Sequence, residues 1–406
     1  MSTANWKRVR LGDVIVDAQA GFASGERSPN GVPQLRMNNV TDRGTFDWTS
    51  VLRVPADAET VEAYSLRRGD VLFNNTNSTA LVGKSALFTE YDEHIVYSNH
   101  FTRIRTDSSR LLPEFLALWL QFQWRLRLFE NICNRWIGQS AVQRDKLLAL
   151  EVPLPPIDEQ ARIAADIRDK FERIDRARAV AAAQLEAAKA LPSAYLREVF
   201  ESPEAQEWPI VTVGGIARLI VDGPHVTPTY QPRGVPFVTV RNIVRRTVDL
   251  REVSYISKED HAEFSSRGRA ERADILYTKD GTLGIPCVVD TAEEFSFFVS
   301  VALIKLKREI ANSFFVACAL ESPQVLKQVG LLSAGAGLKH MVLKSIRSLT
   351  IPLPQLDRQE TIAGVLRDKL GGTSNLTNLL DKHAAALGSL PARFLREAFH
   401  GTEAEE

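Results

Sequence analysis

The sequence predicts a mixed α+β chain built twice over: an α/β domain and a long helix, then a second such domain and a second long helix. Three observations predict it. Two blocks of sequence recur at one fixed interval. Upstream of each block, short β-branched and aromatic runs alternate with Gly, Pro and Asn clusters. Downstream of each, an apolar stripe runs on at helical spacing.

The repeat comes first, because it decides how everything else is read. Val152-Pro153-Leu154-Pro155-Pro156-Ile157-Asp158-Glu159-Gln160 matches Ile351-Pro352-Leu353-Pro354-Gln355-Leu356-Asp357-Arg358-Gln359, 199 residues on. Leu191-Pro192 through Phe200 matches Leu390-Pro391 through Phe399, again 199 residues on. A constant interval over both blocks excludes insertions between them. Upstream matches drift: Trp6 with Trp208, Gly31-Val32-Pro33 with Gly234-Val235-Pro236, and Arg68-Gly69-Asp70-Val71-Leu72-Phe73 with Arg272-Ala273-Asp274-Ile275-Leu276-Tyr277. Unequal loops produce such drift. The chain therefore divides into a variable domain at 1–152, a helical region at 153–200, a second variable domain at 201–351, and a second helical region with a tail at 352–406.

Within each variable domain, runs such as Phe237–Val240 and Phe297–Val301 read as strands. A helix with apolar periodicity follows in each, Leu111–Phe129 and Ser313–Leu332. The helical regions carry Ile163, Ile167, Phe171, Ile174, Ala177, Ala181, Leu185 and Ala188 in steps of three and four. The corresponding residues are Ile362, Leu366, Leu370, Thr373, Leu376, Leu380, Ala384 and Leu387, where only Thr373 is polar. Each stripe is a seam, and the simplest partner for one is the other. Asp158 and Asp357 are N-cap candidates, and Pro192 and Pro391 should kink or end the helices. The span from Asp158 to Ala190 is about 50 Å as a helix. Gly371-Gly372 weakens the second helix locally.

Composition excludes several classes. No apolar run approaches the ~18 residues that span a bilayer, and Met1–Arg10 has no apolar core of a signal peptide. Three dispersed cysteines and seven scattered histidines give neither a disulfide framework nor a zinc spacing, which suits a reducing cytoplasm. The formal net charge is zero, so a nucleic-acid footprint must come from clustering on one face. Ser78–Ser85 comes near a phosphate-binding loop, but serine replaces its first glycine and the second copy, Gly281–Ile285, lacks the lysine. No methyltransferase motif or nuclease-type carboxylate cluster is evident.

A variable domain, a proline segment ending in Gln160 or Gln359, and a long helix, all repeated once, resembles the specificity subunits of type I restriction-modification complexes. Arg358 for Glu159 and Ala273 for Gly69 are the departures between the two copies. The resemblance implies two α/β target-recognition domains, each followed by a long helix, with the helices forming an antiparallel coiled coil of pseudo-twofold symmetry. It implies that each domain reads half of a bipartite site in double-stranded DNA. The helices set the spacer and dock two methyltransferase subunits, which a motor-nuclease subunit joins. The chain itself is then non-catalytic and without cofactor, S-adenosylmethionine and ATP with magnesium falling to partners, in the cytoplasm of a bacterium or archaeon.

The chemistry of base reading selects candidate residues in two polar loops. In the first domain they are Asn74, Asn75, Thr76, Asn77 and Ser78, with Gln139 and Ser140 in the loop before the proline segment; Lys84, a little further on, is expected to touch a DNA phosphate or lie in solvent. In the second they are Lys279 and Thr282, with Lys339 and His340. A purely protein-binding coiled-coil adaptor is the rival reading; it explains the helices but not two duplicated polar-loop domains.

Overall fold

The computed structural model describes residues 6–244, 246–332 and 340–400. The chain forms two compact units, and their boundaries lie inside the long helices: residues 1–181 with 383–406 form the first, residues 182–382 the second. The first long helix is Ile157–Phe200 and the second Leu356–His400.

In the first unit, Ile15–Ala20, Phe101–Thr106, Val71–Asn74 and Ser85–Leu87 form a four-stranded antiparallel sheet in that order. Val71, Leu72 and Phe73 are all fully buried, so this central strand is an unbroken apolar run rather than an alternating one. Val71 and Phe73 face the core beneath the helix Pro113–Arg125. Leu72 faces a second core, shared with Leu35, Tyr97 and Phe101, under the small sheet of Leu52–Val54, Val32–Leu35 and Val96–Tyr97. The second unit repeats this with Ala217–Asp222, Val301–Leu306, Ile275–Thr278 and Pro286–Val288.

The Arg-Gly-Asp and Arg-Ala-Asp segments are the turns that launch the central strands. Asp70 accepts the Arg67 N–H at 2.8 Å and pairs with Arg105 at 2.7 Å. Asp274 accepts the Glu271 N–H at 2.8 Å and pairs with Lys305 at 2.6 Å. Gly69 is left-handed at φ 92°, and Ala273 holds the same region at φ 69°.

The helix expected over Leu111–Phe129 is two helices, Pro113–Arg125 and Leu128–Ile132, because Arg127 turns left-handed at φ 58°. That expected over Ser313–Leu332 is likewise Ser313–Leu320 and Pro323–Leu332, the second opened by a proline, which has no N–H to continue the first.

The proline segment is a strand. Val9 lies opposite Val152 in the first unit, and Val211 opposite Ile351 in the second. From there the chain passes straight into the helix, and Pro156 O accepts the N–H groups of Glu159 and Gln160. Asp158 and Asp357 are thus not N-caps. They sit in the first helical turn, where their charge favours the helix dipole. The repeated glutamine joins the parts. Gln160 is completely buried; its Oε1 accepts the Leu112 N–H at 2.8 Å, and its Nε2 donates to Arg110 O and Pro155 O at 2.9 Å each. Gln359 repeats this with the Asn312 N–H, Ile310 O and Pro354 O.

Within each unit the two helix segments run antiparallel. In the first, Arg178 meets Leu387 and Lys170 lies over the Phe394 ring. In the second, Lys369 meets both Glu198 and Tyr195. Ile163, Ile167 and Phe171 pack on the first core with Leu395 and Phe399; Ile362, Leu366 and Leu370 pack on the second core with Leu196 and Phe200. Ile174 is buried as expected and Leu380 half-buried. Leu376 is not a seam residue: it is 39% exposed, while Thr373 is buried and satisfies its hydroxyl on Lys369 O.

Neither proline ends its helix; Pro192 and Pro391 both lie inside. Beyond them, Leu196 and Phe200, and Leu395 and Phe399, are buried. Phe399 packs against Phe115 and Phe122, with ring centroids at 5.3 and 5.4 Å, and Phe200 lies 5.4 Å from Phe315. Burying a leucine and a phenylalanine contributes roughly 3–6 kcal/mol, which offsets the ~3 kcal/mol cost of an interior proline.

Candidate nucleic-acid interface

In each unit the central strand carries its polar loop to the segment that precedes the proline strand. Asn75 N donates to His100 O at 3.0 Å, and Asn75 O accepts from Val142 N at 2.9 Å. In the second unit Lys279 N donates to Ser300 O at 2.9 Å, and Lys279 O accepts from Met341 N at 2.8 Å. Asn75 and Lys279 are thus equivalent positions in different chemistry. In the first unit a sheet completes the join: Thr76–Asn77 pairs with Gln139–Ala141, which pairs with Asn134–Trp136 as a hairpin. In the second unit Asp280 bridges His340.

The two predicted loops do meet, but several of their side chains face inward. Asn74 is fully buried, donating to His100 O and accepting from Asn77, which is itself buried. Ser140 is buried with its hydroxyl 2.8 Å from that of Thr79. Lys84, expected to touch a phosphate or lie in solvent, is 8% exposed and its Nζ donates to Val40 O; burial lowers its pKa. Gly83, just before it, is left-handed at φ 91°, and a Cβ there would strike the Phe129 ring at 2.2 Å. This is a packed turn rather than a phosphate cradle. Lys279 is 2% exposed, with Asp280 at 3.1 Å and Asp222 at 3.7 Å as counter-charges. These five side chains shape the loops from within.

The outward set is Ser78 and Gln139 in the first unit and Thr282 and His340 in the second, with Asn75 and Thr76 half-buried. His340 Nδ1 is hydrogen-bonded to Asp280. Lys339 lies outside the described residues.

Several neighbours carried no signal in the pattern. Asn99 and His100 join the first surface through the turn that Asn75 grips, Asn75 Nδ2 lying 3.5 Å from Asn99 O. Burial and the Arg36 charge lower the His100 pKa. The hairpin tip exposes Trp136 and Ile137, and Arg127 and Arg135 stand exposed beside it. In the second unit Arg267 and His225 approach the buried Asp222, each at 3.5 Å. One signal could have been read: Gly21 and Gly223 share the interval of Trp6 and Trp208. Both press on the turn before the long strand, where a Cβ would lie 2.3 Å from Tyr97 O and 1.9 Å from Phe297 O.

Among the described residues no cluster of His, Cys, Asp or Glu could hold a metal ion, and no helix is long and apolar enough to cross a membrane.

The structure is similar to known ones over nearly its whole length. A structure from a study of complex assembly and conformational transition of the type I R-M system superposes with a TM-score of 0.76 at 22% identity, covering 98% of both chains. The HsdS subunit from Thermoanaerobacter tengcongensis superposes with a TM-score of 0.62, also at 22% identity and 98% of both chains. In sequence, the putative type I restriction enzyme MjaX specificity subunit of Methanocaldococcus jannaschii is 23% identical over 398 residues, 89% of this chain and 86% of its own. The family model for the type I restriction modification DNA specificity domain matches twice, over residues 3–182 and 206–381. Two matches to that model, one in each half, place this chain in the type I restriction-modification DNA specificity family.

Proposed function

We propose that the chain directs a methyltransferase, and a motor-nuclease where one is present, to a bipartite site in double-stranded DNA without itself performing chemistry. Each target-recognition domain reads one half-site. The long helices fix the spacer and dock two methyltransferase subunits, which supply S-adenosylmethionine; ATP and magnesium belong to the motor-nuclease. One observation carries this reading: the same hydrogen-bonded frame is built twice, and the side chains it turns outward differ, Ser78 and Gln139 in one unit and Thr282 and His340 in the other. A duplicated frame with divergent tips is what independent reading of two half-sites requires. Phosphate contacts give affinity, and base-edge contacts give specificity. We assign the exposed Arg127, Arg135 and Arg267 and the half-buried Arg36 to phosphates, and the exposed Ser78, Gln139, Thr282 and His340 to bases.

The experiment is domain replacement. Residues 1–152 are exchanged for the corresponding domain of a relative, the chain is expressed with its methyltransferase, and the host methylome is sequenced. One half-site should change while the other stays. A simultaneous change in both would overturn independent reading, and methyl transfer by the purified chain alone would overturn the non-catalytic role.

A further inference from the structure

We infer that the hairpin tip of the first unit recognises an A·T base pair in the major groove, with Ile137 set against the thymine methyl group and Gln139 against the adenine edge. The inference rests on the DNA-reading function above and deepens it. Asn134–Trp136 and Gln139–Ala141 form a two-stranded ribbon turned by Ile137 and Gly138, with Gly138 left-handed at φ 78°. Such a ribbon fits a major groove. Ser140 points into the domain, so by alternation Gln139 and its cross-strand partner Trp136 point out.

The tip is apolar where solvent alone surrounds it. Ile137 is fully exposed and Trp136 is 60% exposed. The base of the ribbon is held firmly: Lys146 Nζ donates to Asn134 Oδ1 at 3.3 Å, and Arg135 donates to Glu130 O at 2.8 Å. Ser140 and Ala141 add the ladder to Thr76–Asn77. The firm base leaves little entropy to lose when the tip is buried.

Charge chooses the occupant. From Arg127 to Arg144 the chain carries three arginines, at 127, 135 and 144, against the single acid Glu130. A polyanion with an apolar feature in its groove matches this surface, and the thymine methyl is that feature in B-DNA. The side-chain amide of Gln139 has the donor and acceptor pair that adenine presents to the same groove.

The test uses the full chain in complex with its methyltransferase and duplexes bearing the mapped site. In the half-site assigned to residues 1–152, each thymine is replaced singly by deoxyuridine, which removes only the methyl. Competition binding should show one position at which the replacement weakens binding about fourfold, the value of one buried methyl. Ile137→Ser should bind the thymine duplex more weakly and be indifferent at that position, while Ile137→Val keeps the preference. Recognition of the other half-site should be unchanged in both variants, which reports on folding. A half-site without any A·T pair overturns the inference. So does wild-type indifference at every thymine, or an Ile137→Ser variant that still distinguishes thymine from deoxyuridine. A complex that binds no bipartite site overturns the parent reading instead, and this one with it.

Discussion

Gln160 shows how much one side chain can hold. Its amide satisfies three backbone groups from the start of the domain helix, the preceding turn and the proline strand. Gln160→Ala leaves those groups without partners in a fully buried place. The expected cost is about 2–3 kcal/mol, read as a lower urea midpoint, and Gln359→Ala should cost a similar amount. The interval of 199 residues made both glutamines visible in the sequence, but not their purpose, because a side chain bonding to backbone 48 residues away leaves no periodic trace. The same limit hid the fates of Asn74, Ser140, Lys84 and Lys279. Their types suited base and phosphate contact, and only the folded strands and turns around them turn them inward. Ala273 offers a second test at this scale. Its φ of 69° is a conformation that costs an alanine about 1 kcal/mol or more. Its counterpart Gly69 has nothing nearer a Cβ than Pro113 Cγ at 3.6 Å. Ala273→Gly should therefore stabilise the chain by about 0.5 kcal/mol after the added unfolded-state entropy, seen as a raised melting temperature.

At the scale of elements, the sequence disclosed the helices and the seam well, and their ends poorly. Steps of three and four found Ile163, Ile167, Ile362 and Leu366, all buried. The prolines misled, since local chemistry says stop while the cores hold the residues that follow. In the first unit a further device supports the interruption. Pro391 has no N–H for Leu387 O, the carbonyl four residues before it, and Arg178 Nη2 donates to that oxygen at 3.1 Å and to Gly388 O at 3.2 Å. Thr377 takes the place of Arg178 in the second unit and bonds within its own helix, to Ser374 O. Arg178→Ala should destabilise the chain by about 1–2 kcal/mol. Pro391→Ala restores a donor to Leu387 O, so in that background Arg178→Ala should cost clearly less. A double-mutant cycle by chemical denaturation reads the difference; equal costs in both backgrounds would show that Arg178 works through packing alone.

At the scale of the whole molecule, the ruler role proposed for the helices depends on how the two are registered. Arg178 meets Leu387 in the first unit, and Glu198 meets Lys369 in the second. Both helices pass from one unit to the other, at residues 181–182 and 382–383. Four residues added after Ala181 alone would set one seam off against the other by a full turn. Four residues added after both Ala181 and Lys382 lengthen the pair together. Each insertion adds about 6 Å and turns the helix about 40° past a full turn, so the seam nearly keeps its phase. One base pair rises about 3.4 Å. The paired insertion should therefore shift the preferred spacer upward by one or two base pairs, with both half-sites unchanged. The single insertion should weaken specific methylation at every spacer length. The measurement is methylation of a duplex library in which only the spacer varies, by each variant in complex with the methyltransferase. If the paired insertion leaves the optimum where it was, the helices pack the domains but do not measure the distance between half-sites.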